Sequence, residues 1–125
     1  MTLPWRIAII DDERSVRSGL SNLLQSDGYA TDTFDSAEVF LSHPTALSNA
    51  SLVITDIRLR GMNGLALFEK LRLLATPPPP ILFISGHADD TLQRYALSLG
   101  AVAFLLKPIN ADVLLDHIQQ ALARR

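Results

Sequence analysis

The chain has 125 residues, long enough to bury one full core and too short for two ordinary domains. Apolar residues make up 48% and charged residues 19%, which excludes a disordered chain, and a net charge of −2 argues against direct nucleic-acid binding, which needs a clustered basic face. Without cysteine there is no disulfide frame or thiolate metal site, and no apolar run approaches the ~18 residues of a membrane span, so the expectation is one cytoplasmic domain over residues 1–125.

Strand and helix signals then alternate five times, the pattern of βα units and a parallel sheet. Arg6-Ile-Ala-Ile-Ile10 reads as the first strand and stops at Asp11-Asp12. Val16, Leu20, Leu23 and Leu24 keep helical spacing until Asp27-Gly28. Tyr29–Phe34 alternates polar and apolar residues, as an edge strand does. Asp35-Ser-Ala-Glu38 resembles a capping box that opens a short helix ended by Pro44, and Thr45–Ala50 reads as polar loop. The third strand, Ser51–Thr55, leads into Asp56. Gly61-Met-Asn-Gly64 forms a turn in which Asn63 caps a helix through Leu65, Phe68, Leu71 and Leu74. Pro77–Pro80 is an extended linker, Ile81–Ile84 is the fourth strand, and Ser85-Gly-His87 follows it. The fourth helix runs to about Leu99, with Gly100 at its cap position. The fifth strand, Val102–Leu106, ends at Lys107-Pro108, and Asn110 caps a last helix carrying Leu114, Ile118, Ala121 and Leu122.

Four of these strands are almost wholly apolar, as strands covered by helices on both faces are. Right-handed crossovers then give an α/β, doubly wound (βα)5 fold with a five-stranded parallel sheet ordered 2-1-3-4-5. In that order strands one and three are neighbours at the topological switch point. Their carboxyl ends carry Asp11, Asp12 and Asp56, and the fifth strand brings Lys107. Two carboxylates about 4 Å apart repel by roughly 4 kcal/mol at an effective dielectric near 20. A fold does not collect such charges for stability; a hard cation or a perturbed acid is the usual reason. Mg2+ fits better than Ca2+, because it is held by one or two carboxylates plus water and phosphate oxygens, and no calcium loop with its distal Glu is present. An aspartate beside Mg2+ can attack a phosphoryl group to give an aspartyl phosphate. Lys107 would offer that group a point charge and Ser85 a hydroxyl.

Four motifs bring a family into view: Ile9-Ile-Asp-Asp-Glu13, Asp56-Ile-Arg-Leu-Arg-Gly-Met-Asn-Gly64, Phe83-Ile-Ser-Gly-His87 and Gly100-Ala-Val-Ala-Phe-Leu-Leu-Lys-Pro108. Each alone is weak, but in order and at matching strand ends they are highly specific. Over nearly its whole length the chain resembles a response-regulator receiver domain of two-component signalling, a flavodoxin-like fold. The resemblance implies that Asp56 is the phosphoacceptor for a sensor histidine kinase. It implies that Asp11 and Asp12 organise Mg2+, Asp12 more directly, with Asp56 and the backbone carbonyl of Arg58 as further ligands. Asp56, Ser85 and Lys107 would carry the chemistry, and Ser85 and Phe104 would occupy switch positions. As Ser85 draws its loop inward, Phe104 would turn from a solvent-facing to a buried rotamer. The face made by the fourth helix, fifth strand and fifth helix would then control the output. That output would be a C-terminal helix-turn-helix domain or a downstream protein acting in transcription, with a phosphorylation-dependent homodimer as a further partner.

Further implications follow from the same resemblance. The Lys107–Pro108 bond would be cis, as X-Pro bonds alone readily are. The loops Gly86–Asp89 and Gly100–Pro108 are similar to those of receivers joined to helix-turn-helix transcription factors of the nitrogen-fixation type, and the last helix runs to Arg125 without a stop, as in an excised N-terminal domain. The chain would be a signalling domain and not an enzyme acting on outside substrates. It departs from the family at Arg60, where proline is usual. Arg58 and His87 stand at the two variable positions that tune the lifetime of the aspartyl phosphate.

Alone, each residue has an ordinary use: Asp11-Asp12 as a strand-ending turn and helix cap, Ser85 as a turn residue, Lys107 as a solvated lysine, Phe104 as core. Their convergence carries the functional reading. His43, His87 and His117 fall in unrelated segments, so no zinc site is expected. A phosphatase of the haloacid-dehalogenase type would also use a strand-end aspartate and Mg2+. That family needs a second Asp two residues after the nucleophile, where this chain has Arg58, and the chain has no room for a cap domain. A receiver-like interaction module acting without phosphate is opposed by the complete set of Asp11, Asp12, Asp56, Ser85 and Lys107.

Overall fold

The computed structural model describes residues 4–75 and 77–123. Its five strands are β1 (Arg6–Ile10), β2 (Ala30–Phe34), β3 (Leu52–Asp56), β4 (Ile81–Ser85) and β5 (Ala103–Leu106). The helices among the described residues are α1 (Arg14–Ser26), α2 (Ala37–Leu41), α3 (Pro44–Asn49), α4 (Gly64–Leu74), α5 (Asp90–Ser98) and α6 (Ala111–Ala123). The predicted fourth and fifth helices are therefore α5 and α6. All strand pairs are parallel and the order is β2-β1-β3-β4-β5, as the crossover argument requires. The polar strand β2 lies at the edge, and β3 and β4 are buried throughout.

The period of two along each strand divides the core between the sheet's faces. Ile7, Ile9, Ile54 and Leu82 meet Leu20 and Leu24 of α1 and Leu114, Ile118 and Leu122 of α6. Ala8, Ile10, Val53 and Phe83 meet Phe40 of α2, Leu67, Phe68 and Leu71 of α4, and Ala96 of α5. Each fully buried Leu or Ile contributes about 1.5–3 kcal/mol. Strands held this way on both faces present their carboxyl ends as a rigid rim. The caps that aim the chain at that rim follow the predicted residues. Asn63 accepts from the Ala66 N–H at 2.9 Å, Asn110 from the Val113 N–H at 3.0 Å, and Asp89 from the Leu92 N–H at 3.0 Å. Gly64 has a steric reason to be glycine: a Cβ there would lie 2.6 Å from the Asp56 carbonyl oxygen and 2.9 Å from Ile57 Cα.

Three expectations are corrected. Thr45–Ala50 is not a loop, because Pro44 opens α3 as well as closing the turn after α2. Proline suits the first helical turn, where its missing N–H would have no partner, and Ala46 and Leu47 pack on the core. The cap of α2 is Ser36, not Asp35: the Val39 N–H donates to Ser36 Oγ at 3.1 Å. Glu38, freed from any capping box, accepts from the Met62 N–H at 3.1 Å and ties α2 to the loop after β3. On α4 the buried face is Leu67, Phe68 and Leu71, while Leu74 lies exposed. No described helix is long and apolar enough to cross a membrane.

Candidate functional site

The rim at the β1–β3 junction gathers the acids. Asp11 is fully buried, Asp12 half-buried and Glu13 exposed. With Asp56 they offer carboxylate oxygens that lie within 4.8 Å of one another. The backbone fixes two of these side chains: the Glu13 N–H donates to Asp11 Oδ1 at 2.8 Å, and the Arg58 N–H to Asp56 Oδ1 at 2.8 Å. Arg17, from the first turn of α1, donates to the Asp11 carbonyl at 2.6 Å and pins the loop that carries the acids. Beside Asp12 an open cavity of about 390 Å³, lined by Ile57, Arg58, Arg60 and Asn63, gives access from solvent.

Lys107 enters from β5, whose end is held by the Lys107 N–H donating to the Ser85 carbonyl at 2.8 Å. Its Nζ lies 2.7 Å from Asp56 Oδ2, 3.0 Å from Glu13 Oε1 and 3.1 Å from Asp11 Oδ2. The last contact is an ion pair without hydrogen-bond geometry, so Asp11 Oδ2 is a buried oxygen that receives no hydrogen bond. Burial pushes the Asp11 carboxyl above its usual range, and the Glu13 amide and Lys107 offset only part of this. Burial on its own would lower the pKa of Lys107, but hydrogen bonds to Asp56 and Glu13, with the charge of Asp11 beside them, outweigh it and hold the ammonium above its ordinary value. An all-oxygen donor set with one orphaned buried oxygen matches a hard divalent cation.

The remaining predicted residues divide. Ser85 is buried at the rim, but its hydroxyl is engaged by the loop after β4: the His87 N–H donates to Oγ at 3.1 Å and Oγ donates to the His87 carbonyl at 3.0 Å. Phe104 is buried in the core, which corrects the expectation of a solvent-facing resting ring. Phenylalanine has no hydroxyl to keep its tip in water, so the apolar pocket takes the whole ring. The side chain of Arg58 turns away from the acids to Asp89, 3.8 Å off. Arg60, almost wholly exposed and 3.9 Å from Asp12, contributes little. The Lys107–Pro108 bond is cis.

Comparison with known proteins decides the family. Residues 7–119 match the family described as the response regulator receiver domain. This chain belongs to that family. The receiver is 38% identical over 122 residues to the transcriptional regulatory protein FixJ of Bradyrhizobium diazoefficiens, covering 98% of this chain and 58% of that protein. It is 39% identical over 116 residues to the response regulator protein TodT of Pseudomonas putida, covering 93% of this chain and 50% of that one. Among solved structures, FixJ-N matches with a TM-score of 0.86 at 31% identity, over 99% of this chain and 98% of that one. The response regulator StyR matches with a TM-score of 0.86 at 38% identity, over 96% of this chain and 60% of that one. The receiver thus spans little more than half the length of these curated relatives. It is a signalling domain of a two-component response regulator, and receivers bind Mg2+ at an acidic pocket such as this one.

Sequence reasoning left Glu13 out of the site, although its carboxylate lies on Lys107. A signal was available. Glu13 stands at the N-cap of α1, where Ser, Thr, Asp or Asn is preferred, and its side chain makes no cap hydrogen bond.

Proposed function

We infer that this receiver accepts a phosphoryl group on Asp56 from the phosphohistidine of a sensor histidine kinase, in a site that holds Mg2+, and so controls an output partner. The observation that carries the reading is the meeting of three strand ends at one point, with Lys107 Nζ 2.7 Å from Asp56 beside the buried Asp11. Asp11, Asp12, Asp56 and the backbone carbonyl of Arg58 would hold the ion, Asp12 most directly. Once bound there, Mg2+ would neutralise charge on the transferring group.

The chain's own residues do the rest. The Arg58 N–H and the Lys107 ammonium orient the two oxygens of Asp56. One oxygen attacks phosphorus while the phosphorus–nitrogen bond to the donor histidine breaks, and the electron pair leaves with the imidazole. Lys107 then turns its charge to the phosphoryl oxygens. Ser85 reaches them by giving up its two hydrogen bonds to His87, which draws the loop after β4 inward. That loop ends in Asp89, the cap of α5, so the movement is delivered to the face formed by α5, β5 and α6. β5 and α6 expose large apolar side chains, Leu106 and Val113, which suits a partner or a second copy of the chain, while the Tyr95 hydroxyl of α5 is turned to Glu69 of α4 at 3.3 Å. The similarity to FixJ supports transcription through a helix-turn-helix output domain, and hence a cytoplasmic location.

Incubation with a small acyl phosphate and Mg2+ should add one phosphoryl mass to the protein. Asp56→Asn should abolish the gain, because an amide is not a competent nucleophile, and chelation should suppress it. Undiminished incorporation in Asp56→Asn would overturn the assignment. No incorporation in the wild type would favour an interaction module that signals without phosphate.

A further inference from the structure

We propose that Glu13 is a positioning residue for phosphoryl transfer: its carboxylate holds the Lys107 ammonium over Asp56 when Asp11 and Asp56 are taken up by the cation and the phosphoryl group. The proposal rests on the reading of Asp56 as the phosphoacceptor. Of the three carboxylates on Lys107, Glu13 is the one outside the ligand set assigned above to the cation. Asp11 is fully buried and Asp56 is nearly so, and both face the acid cluster, whereas Glu13 sits at its outer edge with its side chain 60% exposed. Its contact to Lys107 is 3.0 Å and joins residues 94 apart in the chain, so it does not arise from local helix geometry.

The local role of Glu13 is already filled by its backbone. As N-cap of α1 it has extended φ and ψ of −92° and 114°, and its carbonyl accepts from the Arg17 N–H at 3.1 Å. Its own N–H is spent on Asp11 Oδ1. The side chain makes no cap bond, at a position where a glutamate is a poor capping type. A residue that breaks the local preference and is aimed at a distant lysine has been chosen for that lysine. An ammonium has three donors. One can remain on Glu13 while another reaches a phosphoryl oxygen, and the long lysine stem then loses less freedom at the moment of transfer.

The test uses the full chain as wild type, Glu13→Gln and Glu13→Ala. In metal-free buffer, NMR should show the Lys107 ammonium protons exchanging slowly in wild type and Glu13→Gln, and faster in Glu13→Ala. Glutamine rescues because its carbonyl oxygen still accepts from the ammonium. With Mg2+ and a small acyl phosphate, Glu13→Ala should gain phosphate about three- to fivefold more slowly, the scale of an exposed charge pair, with Mg2+ affinity unchanged and Glu13→Gln near wild type. Unchanged ammonium exchange in Glu13→Ala would overturn the proposal. So would a matching loss of Mg2+ affinity in both variants, which would make Glu13 a metal ligand. If wild-type Asp56 takes no phosphate, the function proposed above fails, and the exchange measurement still decides Glu13.

Discussion

Lys107→Met removes the ammonium lodged among Asp11, Glu13 and Asp56 and keeps most of the apolar stem. At an effective dielectric near 20, the 2.7 Å contact to Asp56 is worth about 6 kcal/mol before desolvation, and two carboxylate oxygens 4.8 Å apart repel by about 3.5 kcal/mol. Desolvation offsets most of the attraction, and the loss on removing one partner of a buried pair is about 3–5 kcal/mol. The side chain of Lys107 is 16% exposed and that of Asp56 is 7% exposed, so the buried scale applies; Glu13, in water, adds little. Lys107→Met should therefore lose roughly 3–5 kcal/mol at neutral pH without metal, enough to lower Tm by about 10 °C or more. Adding Asp56→Asn should recover part of the loss, because the surviving acids then repel less. Mg2+ should narrow the gap to wild type, since it supplies the missing positive charge to a more strongly negative site. Urea unfolding of the three proteins, with and without Mg2+, reads all of this. A Lys107→Met protein within about 0.5 kcal/mol of wild type in metal-free buffer would refute the ion-pair reasoning.

Three further outcomes are expected. Burial raises the Asp11 carboxyl above the ordinary 3.8, so its contribution to metal-free stability is present below that value and is lost as pH rises through its raised one; Asp11→Asn should flatten this fall in pH-dependent melts, and Mg2+ binding in wild type should fail at a higher pH than for an ordinary carboxylate. Gly64→Ala should cost about 1–3 kcal/mol in urea unfolding, since its Cβ would meet the Asp56 carbonyl at 2.6 Å, and should slow phosphorylation by displacing that backbone. Phe104→Leu should cost roughly 1 kcal/mol in urea unfolding yet keep the phosphorylation-dependent change in self-association seen by light scattering, whereas Ser85→Ala should fold normally and lose that change.

The parts of the fold that were legible are those where one local signal has one structural meaning. An apolar run that stops at a charge is a buried strand with a rim residue, and this placed Asp11, Asp12, Asp56 and Lys107 on one edge of the sheet. Thr45–Ala50 failed because its composition is that of a loop, and its helix depends on Ala46 and Leu47 finding the core, a tertiary fact. Asp35 and Ser36 are both good caps, and local sequence does not choose between them. The choice is made when Glu38 takes the Met62 N–H across the structure. Glu13 was hidden for a related reason: its partner lies 94 residues away, just past the end of β5.

Phe104 shows where resemblance and physics part. A position known as an aromatic switch suggests a ring that waits in solvent, but a phenylalanine ring has no polar tip to favour that exposure over burial. The ring is therefore already in the core while Ser85 is still bound to its own loop. If Asp56 is phosphorylated as proposed, the step left to make is the exchange of the Ser85 hydroxyl from the His87 backbone to the phosphoryl oxygens. That exchange bears on Asp89, whose carboxylate both caps α5 and lies 3.8 Å from Arg58 in the loop after Asp56. A ligand can shift this equilibrium only through its differential contacts in the two states. Under the function proposed above, those contacts would belong to one hydroxyl and one helix cap, which would give the signal a short route from Asp56 to α5 that does not need the ring to turn.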